Sequence, residues 1–137
     1  MKSIPLNVIS ERISKVAVER PDMVIGILEG GRTMADLIAK KMGCRVGYVR
    51  ISFRDATNTP VYEAPTLIGP FEDIPERMKK ILLVDDVSVT GKTLKAAKDL
   101  LPGKEIITMV LKGEADMVVF PEIRECVVWP WTSVSAT

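Results

Sequence analysis

A chain of 137 residues is long enough to bury one sizeable core and too short for two. Nineteen basic residues against eighteen acidic ones give +1, so charge implies neither a nucleic-acid nor a membrane partner. Histidine is absent, which removes imidazole catalysis and imidazole metal ligands, and the two isolated cysteines, Cys44 and Cys126, lack metal-ligand spacing and suggest a reducing, cytoplasmic setting.

Residues 1–22 predict a helix with Leu6, Ile9, Ile13, Val16 and Ala17 on one face; without an unbroken apolar run they are neither a signal peptide nor a membrane anchor. A strand follows over residues 23–28, then the turn "EGGRT", then a helix carrying Met34, Leu37, Ile38 and Met42 and closed by Gly43. Residues 45–53 predict another strand. Residues 54–80, rich in proline and polar side chains, are too long for an ordinary connector and are therefore functional or mobile, with Arg54, Asp55 and Thr57 as candidate contacts and Tyr62 packing beneath. Ile81 to Val84 form an apolar strand; Leu94, Ala97, Leu100 and Leu101 form a helix stopped by Pro102-Gly103; residues 105–112 form a further strand. Two short apolar pieces, "MVVF" and "CVVWPW", close the pattern. Strands alternating with helices predict an α/β fold, a parallel sheet covered on both faces whose ligands bind at the strands' carboxyl ends.

The stretch "ILLVDDVSVTGKTL" ends in the Gly-Lys-Thr of a nucleotide-triphosphate loop. That loop needs a glycine five positions earlier, where this chain has Asp86, and a carboxylate there would repel a triphosphate. What remains is a strand end feeding a helix N-terminus, an anion site in which Ser88, Thr90 and Thr93 add hydroxyls and Gly91 allows close backbone approach. Asp85 and Asp86 beside such a cradle suit a ligand that presents hydroxyls or a metal next to its phosphate, as a ribose 5-phosphate does.

An apolar strand, two acids and a Thr-Gly-x-Thr loop resemble the signature of the type I phosphoribosyltransferases, with Asp85, Asp86, Thr90, Gly91 and Thr93 matching. The resemblance spans roughly residues 21–131 and is nearest the small xanthine-guanine and hypoxanthine enzymes. It implies one domain over residues 1–137 with a C-terminal hood over about residues 113–137. It also implies a Mg2+-dependent transfer of the 5-phosphoribosyl group from phosphoribosyl pyrophosphate to a nucleobase, a purine, as in purine salvage, by a homodimer or larger homo-oligomer.

By this resemblance Asp85 and Asp86 are catalytic and hold the ribose hydroxyls, Asp86 also facing the metal, while Ser88, Val89, Thr90, Gly91, Lys92 and Thr93 clamp the 5-phosphate. Glu29, Gly30, Gly31 and Arg32 correspond to the pyrophosphate loop, although a Gly-Gly turn between strand and helix is by itself only a turn. Residues near Arg54 belong to a loop that closes over the reacting centre. Lys112, at a strand end, corresponds to the lysine that bonds the exocyclic oxygen of a purine, and Val128 and Trp129 to the hood that holds the base. Three positions depart from the pattern. Glu29 stands where many relatives have Arg or Lys, Val89 where 6-oxopurine enzymes usually have an aspartate, and Cys126 where the hood commonly has a stacking tryptophan. These departures leave open a phosphoribosyl-pyrophosphate- or nucleotide-binding regulatory protein.

Overall fold

In chain order the elements of the computed structural model, which describes residues 2–52, 66–67 and 74–132, are β1 (Lys2–Ser3), α1 (Leu6–Lys15), β2 (Met23–Leu28), α2 (Arg32–Met42), β3 (Arg45–Ser52), β4 (Thr66–Leu67), β5 (Lys80–Ser88), α3 (Lys92–Asp99), β6 (Glu105–Gly113), β7 (Met117–Val118) and β8 (Val127–Val128). The main sheet has the order β4-β3-β2-β5-β6-β7, and every neighbouring pair is parallel except β3 with β4. A second, two-stranded sheet pairs β1 with β8 in parallel.

Strands covered on both sides need apolar residues at both parities, and the central ones have them. Val24, Leu82, Val84, Met109 and Leu111 face one core together with Ile9 and Ile13 of α1 and Met34, Ala35 and Ile38 of α2. Met23, Ile25, Ile27, Ile81, Leu83 and Val110 face the other, against Leu94 and Ala97 of α3 and the following Leu101. Helices therefore cover both faces, as the alternation of elements predicts. At about 25 cal/mol per Å2 of apolar area, burial on two faces is the main term holding the strands.

Several boundaries differ from expectation. The first helix is shorter than its apolar pattern: it ends at Lys15, and Val16 is already extended at ψ 123°. Only Ile9 and Ile13 are buried on it, while Leu6 is 43% exposed and Ala17 exposed. β1 lies ahead of it, a two-residue strand too short for periodicity to reveal. α3 ends at Asp99, leaving Leu100 exposed and Leu101 buried past the helix. β3 is described to Ser52; Phe53, Arg54, Asp55, Thr57 and Tyr62 lie outside the described residues. Most consequential is β5, which does not stop before the acids but runs through them to Ser88, with Asp85 opposite Val110 and Val87 opposite Lys112. Among the described residues no helix is long and apolar enough to cross a membrane.

Candidate active site

The acid pair is held by strand geometry rather than by a loop. Asp85 and Asp86 follow one another near the carboxyl end of β5, both half-buried and close enough for their carboxyl groups to interact. Asp85 accepts the amide of Asp86 at 2.8 Å, and Asp86 accepts the amide of Val87 at 2.8 Å. Burial, reinforced by the neighbouring charge of Asp86, pushes the Asp85 carboxyl up to about 8. The other oxygen of Asp86 accepts from Trp131 Nε1 at 3.2 Å.

Beyond Ser88 the chain turns into α3. Gly91 caps the helix at φ 76°, the left-handed region that glycine enters without a Cβ penalty, and its carbonyl accepts the Lys95 amide at 2.9 Å. Thr90 Oγ1 accepts the Lys92 amide at 3.3 Å, which leaves its O–H to donate. Asp85, Val87, Ser88, Val89, Thr90, Gly91, Lys92, Thr93 and Leu94 line a cavity of about 250 Å3 at this helix N-terminus. The expected phosphate residues are thus brought together around one opening, with the positive end of α3 facing it.

On the other side of the acids lies the turn from β2 into α2. A Cβ on Gly30 would sit 2.5 Å from Asp86 Cγ, so only glycine allows this turn to touch the acid. The expectation that Gly30 and Gly31 both offer their amides to a ligand is not met at Gly31. Its amide donates to Ile27 O at 2.7 Å, and the Arg32 amide to Glu29 O at 3.1 Å, because the turn closes on itself before α2 begins. The peptide bond between Leu28 and Glu29 is cis. Glu29 is neutralised locally: one carboxylate oxygen accepts from Arg50 Nη2 and the other from Arg32 Nε at 3.3 Å. The Arg50 guanidinium, then that of Arg32, holds the Glu29 carboxyl below its usual range. Arg50 was not expected here. The signal was a lone basic residue near the carboxyl end of an apolar strand, placed opposite Leu28 by the register of β3 on β2.

A second opening, a cleft of about 380 Å3, adjoins the phosphate cavity across Val87, Ser88 and Val89. Its floor includes Lys112 and Phe120, its rim Glu114 and Arg124. Lys112 falls where expected; Val128 and Trp129 do not line this cleft. The amide of Ile4 donates to the Val128 carbonyl at 3.5 Å, and Trp129 is only 4% exposed, packed on Phe120 with ring centroids 6.3 Å apart. The tail aromatic at the site is Trp131, stacked on Trp129 at 6.0 Å and 10°. A tight turn makes the difference. Thr132 N donates to Trp129 O at 2.9 Å and Thr132 Oγ1 accepts the Trp129 amide at 3.0 Å, with Pro130 at the second turn position. Pro-x-Thr after a buried tryptophan was the legible sign that the next aromatic swings back.

Residues 7–116 match the family model described as "Phosphoribosyl transferase domain". The chain belongs to this family. Among curated phosphoribosyltransferase relatives, an orotate phosphoribosyltransferase of Sulfurisphaera tokodaii is 32% identical over 106 residues, 75% of this chain and 49% of that protein. A "Bifunctional protein PyrR" of Acetivibrio thermocellus is 31% identical over 111 residues, 72% of this chain and 60% of that protein. The chain thus spans about half to three fifths of the length of these relatives. Among solved structures, a purine phosphoribosyltransferase from Pyrococcus horikoshii superposes with TM-score 0.77 at 23% identity, covering 96% of this chain and 93% of that one. A Helicobacter pylori xanthine-guanine-hypoxanthine phosphoribosyltransferase gives 0.70 at 16% identity, covering 95% and 92%. These two superpositions establish the type I phosphoribosyltransferase fold along nearly the whole chain.

Proposed function

We propose that this phosphoribosyltransferase-family chain transfers the 5-phosphoribosyl group from phosphoribosyl pyrophosphate to a nucleobase, a purine, with release of pyrophosphate. The observation that carries the reading is the convergence of two cavities and the glycine turn on one acid pair. The helix-capped cavity lies beyond Asp85, the glycine turn with its arginines touches Asp86, and the cleft with Lys112 adjoins at Val87 to Val89. A phosphate, a leaving pyrophosphate and a base need that arrangement around a ribose.

In this reading the Thr90 and Thr93 hydroxyls and the α3 amides clamp the 5-phosphate, and carboxylate oxygens of Asp85 and Asp86 accept from the ribose hydroxyls. The Asp86 carboxylate also lies close to the cationic sugar that forms as the bond to pyrophosphate breaks. The base nitrogen attacks C1 from the cleft, with Lys112 donating to an exocyclic oxygen. Positioning and electrostatics supply the rate, since the protein itself forms no covalent bond.

Two half-buried carboxylates with no third His, Cys, Asp or Glu clustered beside them among the described residues suit Mg2+, which takes few protein ligands and shares the rest with substrate phosphates and water. Asp86, with Asp85 beside it, would hold that ion, which when bound neutralises pyrophosphate charge.

The purine choice is supported by the size of the cleft and its donor Lys112, and by the full-length likeness in fold to purine enzymes. The test is pyrophosphate release from phosphoribosyl pyrophosphate and Mg2+ across purine and pyrimidine bases. Turnover with a pyrimidine alone would overturn the purine assignment, and no turnover with any base would overturn the enzyme. A second reading, a nucleotide-binding regulator that keeps the cradle without the chemistry, is favoured by Val89, a valine 81% exposed at the junction of both openings. It predicts tight ligand binding without turnover.

A further inference from the structure

From the Glu29 contacts we infer that Glu29 is an internal competitor of the leaving group: its carboxylate bridges Arg50 and Arg32, and pyrophosphate displaces it. The inference rests on the reading of residues 29–32 as the pyrophosphate side of the site. Four observations carry it.

First, the turn bearing Glu29 is in direct contact with the acid pair through Gly30. Second, Glu29 spans two guanidinium groups from different elements, one oxygen to Arg50 at the end of β3 and the other to Arg32 at the start of α2. A bridging carboxylate of this kind is a small mimic of a diphosphate, which offers more oxygens and more charge to the same fork-shaped donors. Third, each arginine is also positioned by something other than Glu29. The Arg32 guanidinium lies 5.0 Å from the centre of the Tyr48 ring, and Arg50 is set opposite Leu28 by the sheet register. Fourth, the three side chains are 41–59% exposed, so the ion pairs are screened by water and cheap to break.

Charge decides the direction. Two arginines and one carboxylate leave the group at 2 − 1 = +1, and removing the carboxylate's charge leaves it at +2. A diphosphate therefore meets a weaker field in the native protein than the arginines alone would give it. The same competition helps expel pyrophosphate after transfer, because Glu29 returns to the arginines as it leaves.

Calorimetric titration with inorganic pyrophosphate in magnesium buffer tests this, with ribose 5-phosphate as the second probe. Glu29→Gln, an exposed and nearly isosteric change, is expected to bind pyrophosphate about tenfold more tightly. Ribose 5-phosphate, held at α3, should bind with unchanged affinity, and most of the gain should vanish in Glu29→Gln/Arg50→Gln. Equal or weaker pyrophosphate binding by Glu29→Gln, with ribose 5-phosphate still held, would overturn the inference alone and make Glu29 a residue that orients Arg50. Absence of pyrophosphate binding in both proteins would overturn the reading of the turn as well.

Discussion

Trp131 donates its indole N–H to Asp86 at 3.2 Å, tying the C-terminal turn to one of the two acids at the head of the site. Because the Val87 amide engages the other oxygen, the Asp86 carboxylate is oriented from both sides before any ligand arrives. Trp131→Phe keeps the stack on Trp129 and removes only the donor. Phosphoribosyl pyrophosphate should then bind about three- to tenfold more weakly, since a hydrogen bond of this kind contributes about 1 kcal/mol. Unchanged affinity by titration would make Trp131 a packing residue only.

Asp86→Asn should separate binding from stability. Its side-chain carbonyl still accepts one of the two donors, so the melting temperature should stay within a few degrees. The charge that faces ribose hydroxyls and Mg2+ is lost, and affinity for phosphoribosyl pyrophosphate should fall roughly 10–100-fold, the range of one charge-assisted hydrogen bond. Full-strength binding in this variant would contradict the assignment at its centre.

Asp85 gives a dependence on pH. Burial raises its carboxyl from 3.8 to about 8, so between those values the folded protein holds a proton that the unfolded chain has released. That proton stabilises the fold below the lower value, and the contribution is lost as pH rises towards 8. The ligand-free protein should therefore melt at progressively lower temperature from pH 5 to 8.5. Asp85→Asn, which cannot ionise, should flatten that slope and melt higher than wild type at the alkaline end. A slope unaltered by the substitution would place the titration elsewhere.

Much of this was legible in the sequence, for physical reasons. β2 and the end of α2 were bounded correctly because an apolar run broken only by Gly26, a turn and a glycine-terminated amphipathic run have one reading. The phosphate loop was legible because glycine and hydroxyl residues at a strand–helix junction carry their chemistry locally. What sequence could not give depended on contacts far apart in the chain. Whether Trp129 or Trp131 reaches the acids is set by a turn folded against residues more than forty positions away. Glu29 read as an obstacle to an anion, since nothing in the chain order announces that Arg50 arrives beside it. β5 was cut short at Val84 because aspartates disfavour strands in isolation; pairing with β6 overrides that preference.

Gly30→Ala tests the contact between the turn and the acid. The added methyl would lie 2.5 Å from Asp86 Cγ, so either the carboxylate or the turn must shift. Overpacking of this kind costs about 1–3 kcal/mol, and phosphoribosyl pyrophosphate binding should fall together with stability. A variant that melts and binds like wild type would show that the turn relaxes freely.

Val89→Asp separates the enzyme from the regulator. Val89 stands where 6-oxopurine enzymes usually carry an aspartate, and it is 81% exposed between the phosphate cavity and the base cleft. A carboxylate there can take a proton from the base as its other nitrogen attacks C1. Acid–base help of this kind is typically worth 10²–10⁴-fold, so even an imperfectly placed carboxylate should raise turnover about tenfold. The new charge also lies beside the 5-phosphate and should weaken phosphoribosyl pyrophosphate binding by repulsion, so turnover and affinity are measured separately with guanine, xanthine and hypoxanthine. Higher turnover with any of these bases supports a purine enzyme that works without its usual proton acceptor. Tight binding without turnover in either form supports the regulator. Strong wild-type turnover that the aspartate lowers shows that the base needs no such acceptor, and the 6-oxopurine assignment then falls.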